Sequence, residues 1–374
     1  MERYLEAALR QDIQSKIVLL TGPRQSGKTT LARMLVDDHQ YFNHDLARHR
    51  VLLAQMAWDR ERPLIVFDEL HKMAGWKSWL KGIYDVDGIP PALLVTGSAN
   101  LSAFRKTGDS LAGRYFQFRL HPVDVKEAVA HAGMDAAEAL TRLLAVGGFP
   151  EPFLKGTERH YQRWRRTHID VILREDLQTL TAVRDIQSIE TLIELLRDRV
   201  GSPVSVRSLA RDLQKSPNTV QNWLGILENL YVVFRVTPYH RNVARALLKA
   251  PKYYFHDVGL VRGGIGARFE CLVACALLKE IHRREDVEGE DLALRYIRDK
   301  EGREVDFLVT AGGAPRHLIE TKWGDGDLSP HLGRFLAEAP IRRTQVVGEL
   351  DEARSFPTGE RVEPAAHFLA RMDL

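Results

Sequence analysis

The chain has 374 residues, 44% hydrophobic and 28% charged, which supplies a buried core and excludes a disordered polymer. Its 53 basic and 50 acidic side chains leave only +3, so partners must be sought in local charge. No run approaches the roughly 18 apolar residues that cross a bilayer, and the charged start MERYLEAALRQD is unlike a signal peptide. The expectation is a soluble, cytoplasmic protein of two or three domains.

The segment KIVLLTGPRQSGKTTLARMLVDD opens with an apolar run, Lys16 to Leu20, passes through a glycine-containing loop, and continues with Leu31, Met34 and Leu35 at helical spacing. Gly22, Gly27, Lys28 and Thr29 satisfy G-x-x-x-x-G-K-[ST] between strand and helix. In such a loop, made of Gly22, Pro23, Arg24, Gln25, Ser26, Gly27, Lys28, Thr29 and Thr30, backbone N–H groups of residues other than Pro23 curl around phosphate. Lys28 reaches the β and γ phosphates, and the Thr29 hydroxyl ligates Mg²⁺. The following helix aims its positive dipole end at the same anion. ATP and Mg²⁺ are the expected cofactors.

A second apolar run, Leu64 to Phe67, ends in Asp68 and Glu69. Asp68 would steady the metal and Glu69 would orient or deprotonate the attacking water, the alternative being two carboxylates that cap the next helix. A third run, PALLVTGSAN, ends in Thr96, Ser98 and Asn100, where a polar side chain either senses the γ-phosphate or makes an ordinary strand-end turn.

After Pro122 the text turns helical, in an Ala-rich stretch broken by Gly133 and by the turn GGFPEP. Arg159, Arg163, Arg165, Arg166 and Arg174 then face a single acid, Asp170, with Tyr161 and Trp164 interleaved, which is a solvated face or a phosphate contact. The stretch SVRSLARDLQKSPNTVQNWLGILENLYVVFRVTPY reads as two helices around a Ser-Pro-Asn turn, followed by a strand, with Ser216 or Asn218 as the cap of the second helix. Leu209, Leu213, Val220, Leu224, Leu227 and Leu230 form its buried stripes. This is the pattern of a winged helix-turn-helix. Residues 203–252 hold eight basic and two acidic side chains, a net of +6 that exceeds the charge of the whole chain. That footprint suits DNA, with Arg211, Lys215, Thr219, Gln221, Asn222, Arg235 and Arg241 as its contacts. Docking of a protein partner is the other use of such a module.

Cys271 and Cys275 lie four apart in an apolar helical run, where they pack and do not bridge. The run RYIRDKEGREVDFLVT reads as a hairpin turning near Gly302, with Glu304 and Asp306 on one face of its second strand. In the next strand, HLIETKWG, Glu320 and Lys322 share a face. Two carboxylates and a lysine therefore converge.

A P-loop, a DE-ended strand, a TGS strand end and then Gly113 and Arg114 resemble the AAA+ ATPases. More narrowly, GPRQSGKTT, IVFDEL, LVTGSAN, LAGRYFQFRLHPVDVKEAV, GGFPEPF and the terminal EVDF with ETK are similar to a bacterial and archaeal group of predicted AAA+ ATPases that carry a winged helix and a nuclease-like C-terminal domain. The resemblance implies a parallel α/β AAA+ core at 1–122, a helical lid or linker at 123–187, a winged helix at 188–250 and an α/β PD-(D/E)XK nuclease-like domain at 251–374. It also implies a homo-oligomeric ring such as a hexamer, with Arg114 an arginine finger toward a neighbour, a sensor within its own subunit, or a structural ion-pair partner.

In the nuclease-like site Asp306 and Glu320 would bind Mg²⁺ with help from the helical acid Glu270, and Lys322 would position water. Val305 stands where the family has proline, and a degenerate, non-cleaving site is the alternative. Asp257, in YYFHDVGL, matches a further motif without a chemical role. The function expected is a DNA-binding ATPase that translocates or remodels DNA, branched DNA included. The alternatives are an ATP-gated Mg²⁺-dependent DNA nuclease and a nucleotide-switched regulator that docks a protein.

Overall fold

The computed structural model describes residues 1–97, 111–177, 185–239, 250–324, 326–337 and 339–374. Ser98, Asn100 and Arg241 lie outside the described residues. The chain forms two units: Met1–His121 with Asn229–Tyr231 and Asp286–Glu288, and Pro122–Glu228 with Val232–Glu285 and Gly289–Leu374.

The first unit is a five-stranded, all-parallel sheet. Its elements run α1 (Glu6–Asp12), β1 (Ile17–Thr21), α2 (Lys28–Met34), β2 (His39–Asn43), α3 (Ala47–Ala54), β3 (Leu64–Asp68), α4 (Trp76–Asp87), β4 (Ala92–Gly97) and β5 (Tyr115–Arg119). The spatial order is β2-β3-β4-β1-β5. Every residue of β1, β3 and β4 is buried, as a sheet covered on both faces requires. Alternation splits them between two cores: Ile17, Leu19, Ile65 and Phe67 enter one, and Val18, Leu20, Leu64 and Val66 the other. Because β4 lies between β1 and β3, Thr96 stands in register beside both Leu20 and Asp68.

The second unit begins with helices α5 (Val125–Ala132), α6 (Ala136–Val146), α7 (Pro150–Lys155), α8 (Glu158–Val171), α9 (Ile186–Arg197), α10 (Val206–Asp212) and α11 (Pro217–Asn229). Strands β6 (Val233–Pro238) and β7 (Lys252–Phe255) follow, then the long helix α12 (Ile265–Glu288). Strands β8 (Leu292–Arg298), β9 (Glu304–Ala311), β10 (Ala314–Lys322), β11 (Arg342–Val347), β12 (Arg354–Ser355), β13 (Glu360–Pro364) and helix α13 (Ala365–Arg371) complete it.

Asp124 and Asp135 cap α5 and α6 by accepting backbone N–H bonds. Of the two caps expected for α11, Ser216 is the one seen: its Oγ accepts the Thr219 N–H at 3.1 Å. The mixed sheet has the order β12-β13-β11-β10-β9-β8-β6-β7. Strand β6 pairs with β7 and with β8, so one sheet runs through the boundary expected at 250/251. The helices at 123–187 fall in this unit with that sheet. Among the described residues, no helix is long and apolar enough to cross a membrane.

Candidate functional site

In the first unit the carboxyl ends of β1, β3 and β4 bring Thr29, Asp68 and Thr96 together. The Thr29 hydroxyl donates to Asp68 Oδ2 at 3.0 Å, and the Thr96 hydroxyl donates to Oδ1. Tyr41, from β2, also donates to Oδ2, and burial together with Asp68 pushes its phenol up to about 12. Asp68 is thus a nearly buried carboxylate held by three hydroxyls from three different elements. Open α/β sheets place ligands at this edge.

The loop that joins β1 to α2 is shaped by backbone contacts. Gly22 has φ +146, and a Cβ there would lie 2.3 Å from the Leu120 carbonyl oxygen, so only glycine fits. Arg3, buried and not foreseen from the sequence, donates to the carbonyls of Ser26 and His121 at 2.6 Å each and clamps the loop from outside. Lys28 is buried at the start of α2, and its Nζ spans the loop to the carbonyls of Gly22 and Pro23 at 3.0 and 2.7 Å. The Ser26 hydroxyl is buried without a hydrogen-bond partner.

Glu69, at φ 56, occupies the left-handed region that a non-glycine residue enters only at a cost. Its N–H donates to the Thr96 carbonyl at 3.0 Å, which fixes it beside Asp68. The carboxylate atom Oε2 is buried, accepts no hydrogen bond, and lies 3.3 Å from Lys72 Nζ and 3.7 Å from His71 Nε2. Burial lowers the His71 pKa, and this favours the neutral ring.

A nucleotide triphosphate and Mg²⁺ fit these residues: a glycine cradle, a buried lysine, an unpartnered hydroxyl and a Thr–Asp pair converge. Pro23, Arg24, Gln25, Gly27 and Thr30 lie in or next to the same loop.

Arg114 stands elsewhere. It precedes β5, whose Tyr115 pairs with Ile17 at the amino end of β1, so a five-residue strand rising about 3.3 Å per residue separates it from the loop. Its guanidinium grips Asp85 at 2.6 and 3.1 Å. A sensor within its own subunit does not fit that placement; an ion pair is what it makes.

The second unit carries the expected basic surface in reduced form. On α10 and α11, Arg211, Gln221 and Asn222 are exposed, and Thr219 is half-buried against Ser216. Lys215 is paired with Asp185 at 2.7 Å and Arg235 with Glu228 at 3.4 Å. Lys252, counted with the basic residues in the sequence, is fully buried and belongs to another site. Along α8, Arg159, Arg163 and Arg166 are exposed on one face at helical spacing, while Tyr161 and Trp164 enter the core.

The C-terminal acids do meet. Glu304 and Asp306 share one face of β9, with Glu270 of α12 and Glu320 of β10 beside them. The cation among them is Lys252, not Lys322. Lys252 Nζ lies 2.5 Å from Glu304 Oε1, 3.2 Å from Glu270 Oε1 and 3.6 Å from Asp306 Oδ1. Lys322 instead donates to the Asp327 carbonyl at 3.2 Å.

Burial pulls the Lys252 pKa down, yet the charges of Glu270, Asp306 and Glu304 outweigh it and hold the ammonium above the usual lysine range. Glu270 is pushed up to about 7, by burial first and then by Asp306, and Glu320 up to about 8 for the same reasons. Among the described residues, no group of three or more His, Cys, Asp and Glu side chains is arranged to hold a metal ion. Of the expected metal set of Glu270, Asp306 and Glu320, the first two contact Lys252, and Glu320 Oε2 accepts the Asp306 N–H.

Asp257 acquires a role. It is fully buried and accepts the Tyr161 hydroxyl at 2.8 Å and the Gly259 N–H at 3.2 Å, tying α8 to the segment after β7. Gly147, in the turn GGFPEP, has no room for a side chain: a Cβ would lie 2.4 Å from Asp257 Oδ1. Cys271 and Cys275 are free thiols that both donate to the Phe255 carbonyl.

Residues 14–129 match the family described as an AAA domain, and residues 137–268 match a domain of unknown function (DUF8612). The parallel sheet and its glycine loop agree with the first match, and such a domain binds nucleotide. The chain is 27% identical over 360 residues to an uncharacterized protein of Mycobacterium tuberculosis, across 92% of this chain and 79% of that one. It is 23% identical over 361 residues to an uncharacterized protein of Haemophilus influenzae, across 86% and 88%.

Among solved structures it is similar to a signal transduction ATPase with numerous domains and a tetratricopeptide repeat sensor from Pyrococcus horikoshii. That likeness has 14% identity and a TM-score of 0.25, covers 74% of this chain, and spans only 44% of the other. The helicase domain of Hef from Pyrococcus furiosus is similar at 12% identity with a TM-score of 0.24, over 61% of this chain and 68% of that one.

Proposed function

We propose that the chain is an AAA+ ATPase that binds DNA and uses ATP hydrolysis to translocate or remodel it. The observation that carries the ATPase reading is the network of Thr29, Asp68 and Thr96 at the mouth of the loop that holds Lys28. Lys28 would exchange its two carbonyl partners for phosphate oxygens, which stabilise an ammonium better. Thr29 and Asp68 would hold Mg²⁺, which when bound screens the charge on the phosphates. Glu69, kept beside Asp68 by its N–H bond to the Thr96 carbonyl, would orient the attacking water.

The DNA reading rests on the exposed start of α11, with Gln221 and Asn222, on exposed Arg207 and Arg211, and on the arginine row of α8. These groups suit phosphate and groove contacts. Arg114, about a third exposed, is the group a neighbouring copy would meet in a ring once it parted from Asp85. Pairing of Lys215 and Arg235 with Asp185 and Glu228 favours a second reading, in which the same helices dock a protein.

ATP turnover with single-stranded, duplex and four-way-junction DNA, alongside particle mass with and without ATP, separates these. The expected results are a DNA-stimulated rate, a salt-sensitive affinity, no nucleotide binding by Lys28→Ala, and binding with slow turnover by Glu69→Gln. Normal turnover by both variants would end the ATPase assignment. Failure to bind DNA of any form at low salt would leave the docking reading.

A further inference from the structure

We infer that the Lys252 ammonium is the resident cation of the C-terminal carboxylate cluster, in the place where a nuclease of this resemblance would bind Mg²⁺, and that this domain does not cleave DNA. The inference concerns the second unit alone and does not rest on the ATPase reading.

A divalent ion requires several oxygens free to converge on it at about 2.0–2.1 Å. Here one oxygen of each of the three carboxylates already accepts hydrogen bonds from protein groups. Glu270 Oε1 accepts both Lys252 and the Tyr254 hydroxyl, the latter at 2.6 Å. Its Oε2 is pressed against Gly201, where an added Cβ would lie 2.4 Å away. Asp306 Oδ2 accepts the Thr321 N–H and hydroxyl at 2.9 and 2.7 Å, and Glu320 Oε2 accepts the Asp306 N–H at 3.3 Å.

The ammonium itself has no easy exit. Lys252 is 0% exposed, its backbone pairs with Val236 of β6 and bridges to Pro203, and the Tyr296 ring lies 5.4 Å from Nζ. An incoming ion would therefore meet a fixed positive charge within a few ångströms in a poorly solvated site, where like charges repel strongly. Lys322, which would position water in the metal-bearing arrangement, is engaged with the Asp327 carbonyl.

The test uses the full chain without nucleotide. Mn²⁺ binding is followed by electron paramagnetic resonance for the unsubstituted protein and for Glu320→Gln, and both are incubated with plasmid, linear and branched DNA plus Mg²⁺ or Mn²⁺. The expected result is the same number of bound ions in both proteins, and no cleavage that Glu320→Gln or Asp306→Asn removes. Lys252→Met, which keeps the stem and deletes the charge, is expected to gain a Mn²⁺-dependent rise in Tm that the unsubstituted chain lacks, and to lose it when Glu320→Gln is added. A bound ion that disappears in Glu320→Gln, or cutting that depends on Asp306, overturns the inference whether or not the Lys252 variant folds. ATP turnover in the same preparations reports the proposed function separately.

Discussion

Replacing Asp257 by asparagine tests what the buried Tyr161 contact contributes. Burial raises the Asp257 pKa to about 6 from the ordinary 3.8, against the opposing effects of the Tyr161 and Gly259 hydrogen bonds and of Arg165 and Arg197. For an acid shifted upward, the folded state holds the proton that the unfolded state has released, so stability falls as pH rises from about 4 through 6 and then levels off. Moving a carboxyl from 3.8 to about 6 corresponds to about 3 kcal/mol in full, of which about 2 kcal/mol is expected between pH 4.5 and 7.

Asparagine has no such titration and can still meet both partners, accepting from the Gly259 N–H and donating to the Tyr161 oxygen. His256 and His317 act in the opposite direction, since burial lowers each to about 3 and their neutral rings favour folding as pH rises. The absolute pH profile therefore mixes signs, but the difference between Asp257→Asn and the unsubstituted chain isolates one carboxyl. Urea unfolding of both proteins at pH 4.5 and 7 is the assay, with the difference moving by about 2 kcal/mol toward the asparagine variant at the higher pH. Asp257→Ala, which strands a hydroxyl and an N–H, is expected to lose about 2–4 kcal/mol at either pH. A difference between the asparagine variant and the unsubstituted chain that does not change with pH would refute the upward shift that burial gives Asp257.

Two other substitutions probe the frames around the sites. Gly22→Ala would force a Cβ against the Leu120 carbonyl from a backbone at φ +146, so thermal denaturation should show a loss of more than about 2 kcal/mol, with nucleotide binding lost as well. Lys279→Met would remove the ammonium that reaches Glu127 Oε2 at 2.6 Å and Asp124 Oδ1 at 3.0 Å. With Glu127 almost wholly buried, the expected cost is about 3–5 kcal/mol, and adding Glu127→Gln should recover much of it.

The residues legible in the sequence are those whose partners are set by local geometry. The loop from Gly22 to Thr29 announces itself because strand, turn and helix are contiguous, and Asp68 and Thr96 follow because each ends an apolar run. Alternation likewise puts Glu304 and Asp306 on one face of β9. What could not be read are contacts made by strand order. Tyr41 reaches Asp68 because β2 is the neighbour of β3, and Asp257 reaches Tyr161 across 96 residues.

Lys252 shows the limit most sharply. Its place among Glu270, Glu304 and Asp306 depends on β7 joining β6, and on β6 joining β8, pairings with no local signature. Counted along the chain it enlarges a basic region suited to phosphate; counted in space it neutralises carboxylates. The same D-and-E-x-K spacing is compatible with a site that takes up a divalent ion and with one that carries its own counter-charge. Those two sites differ in function through one buried nitrogen contributed from 54 positions before Asp306 in the sequence.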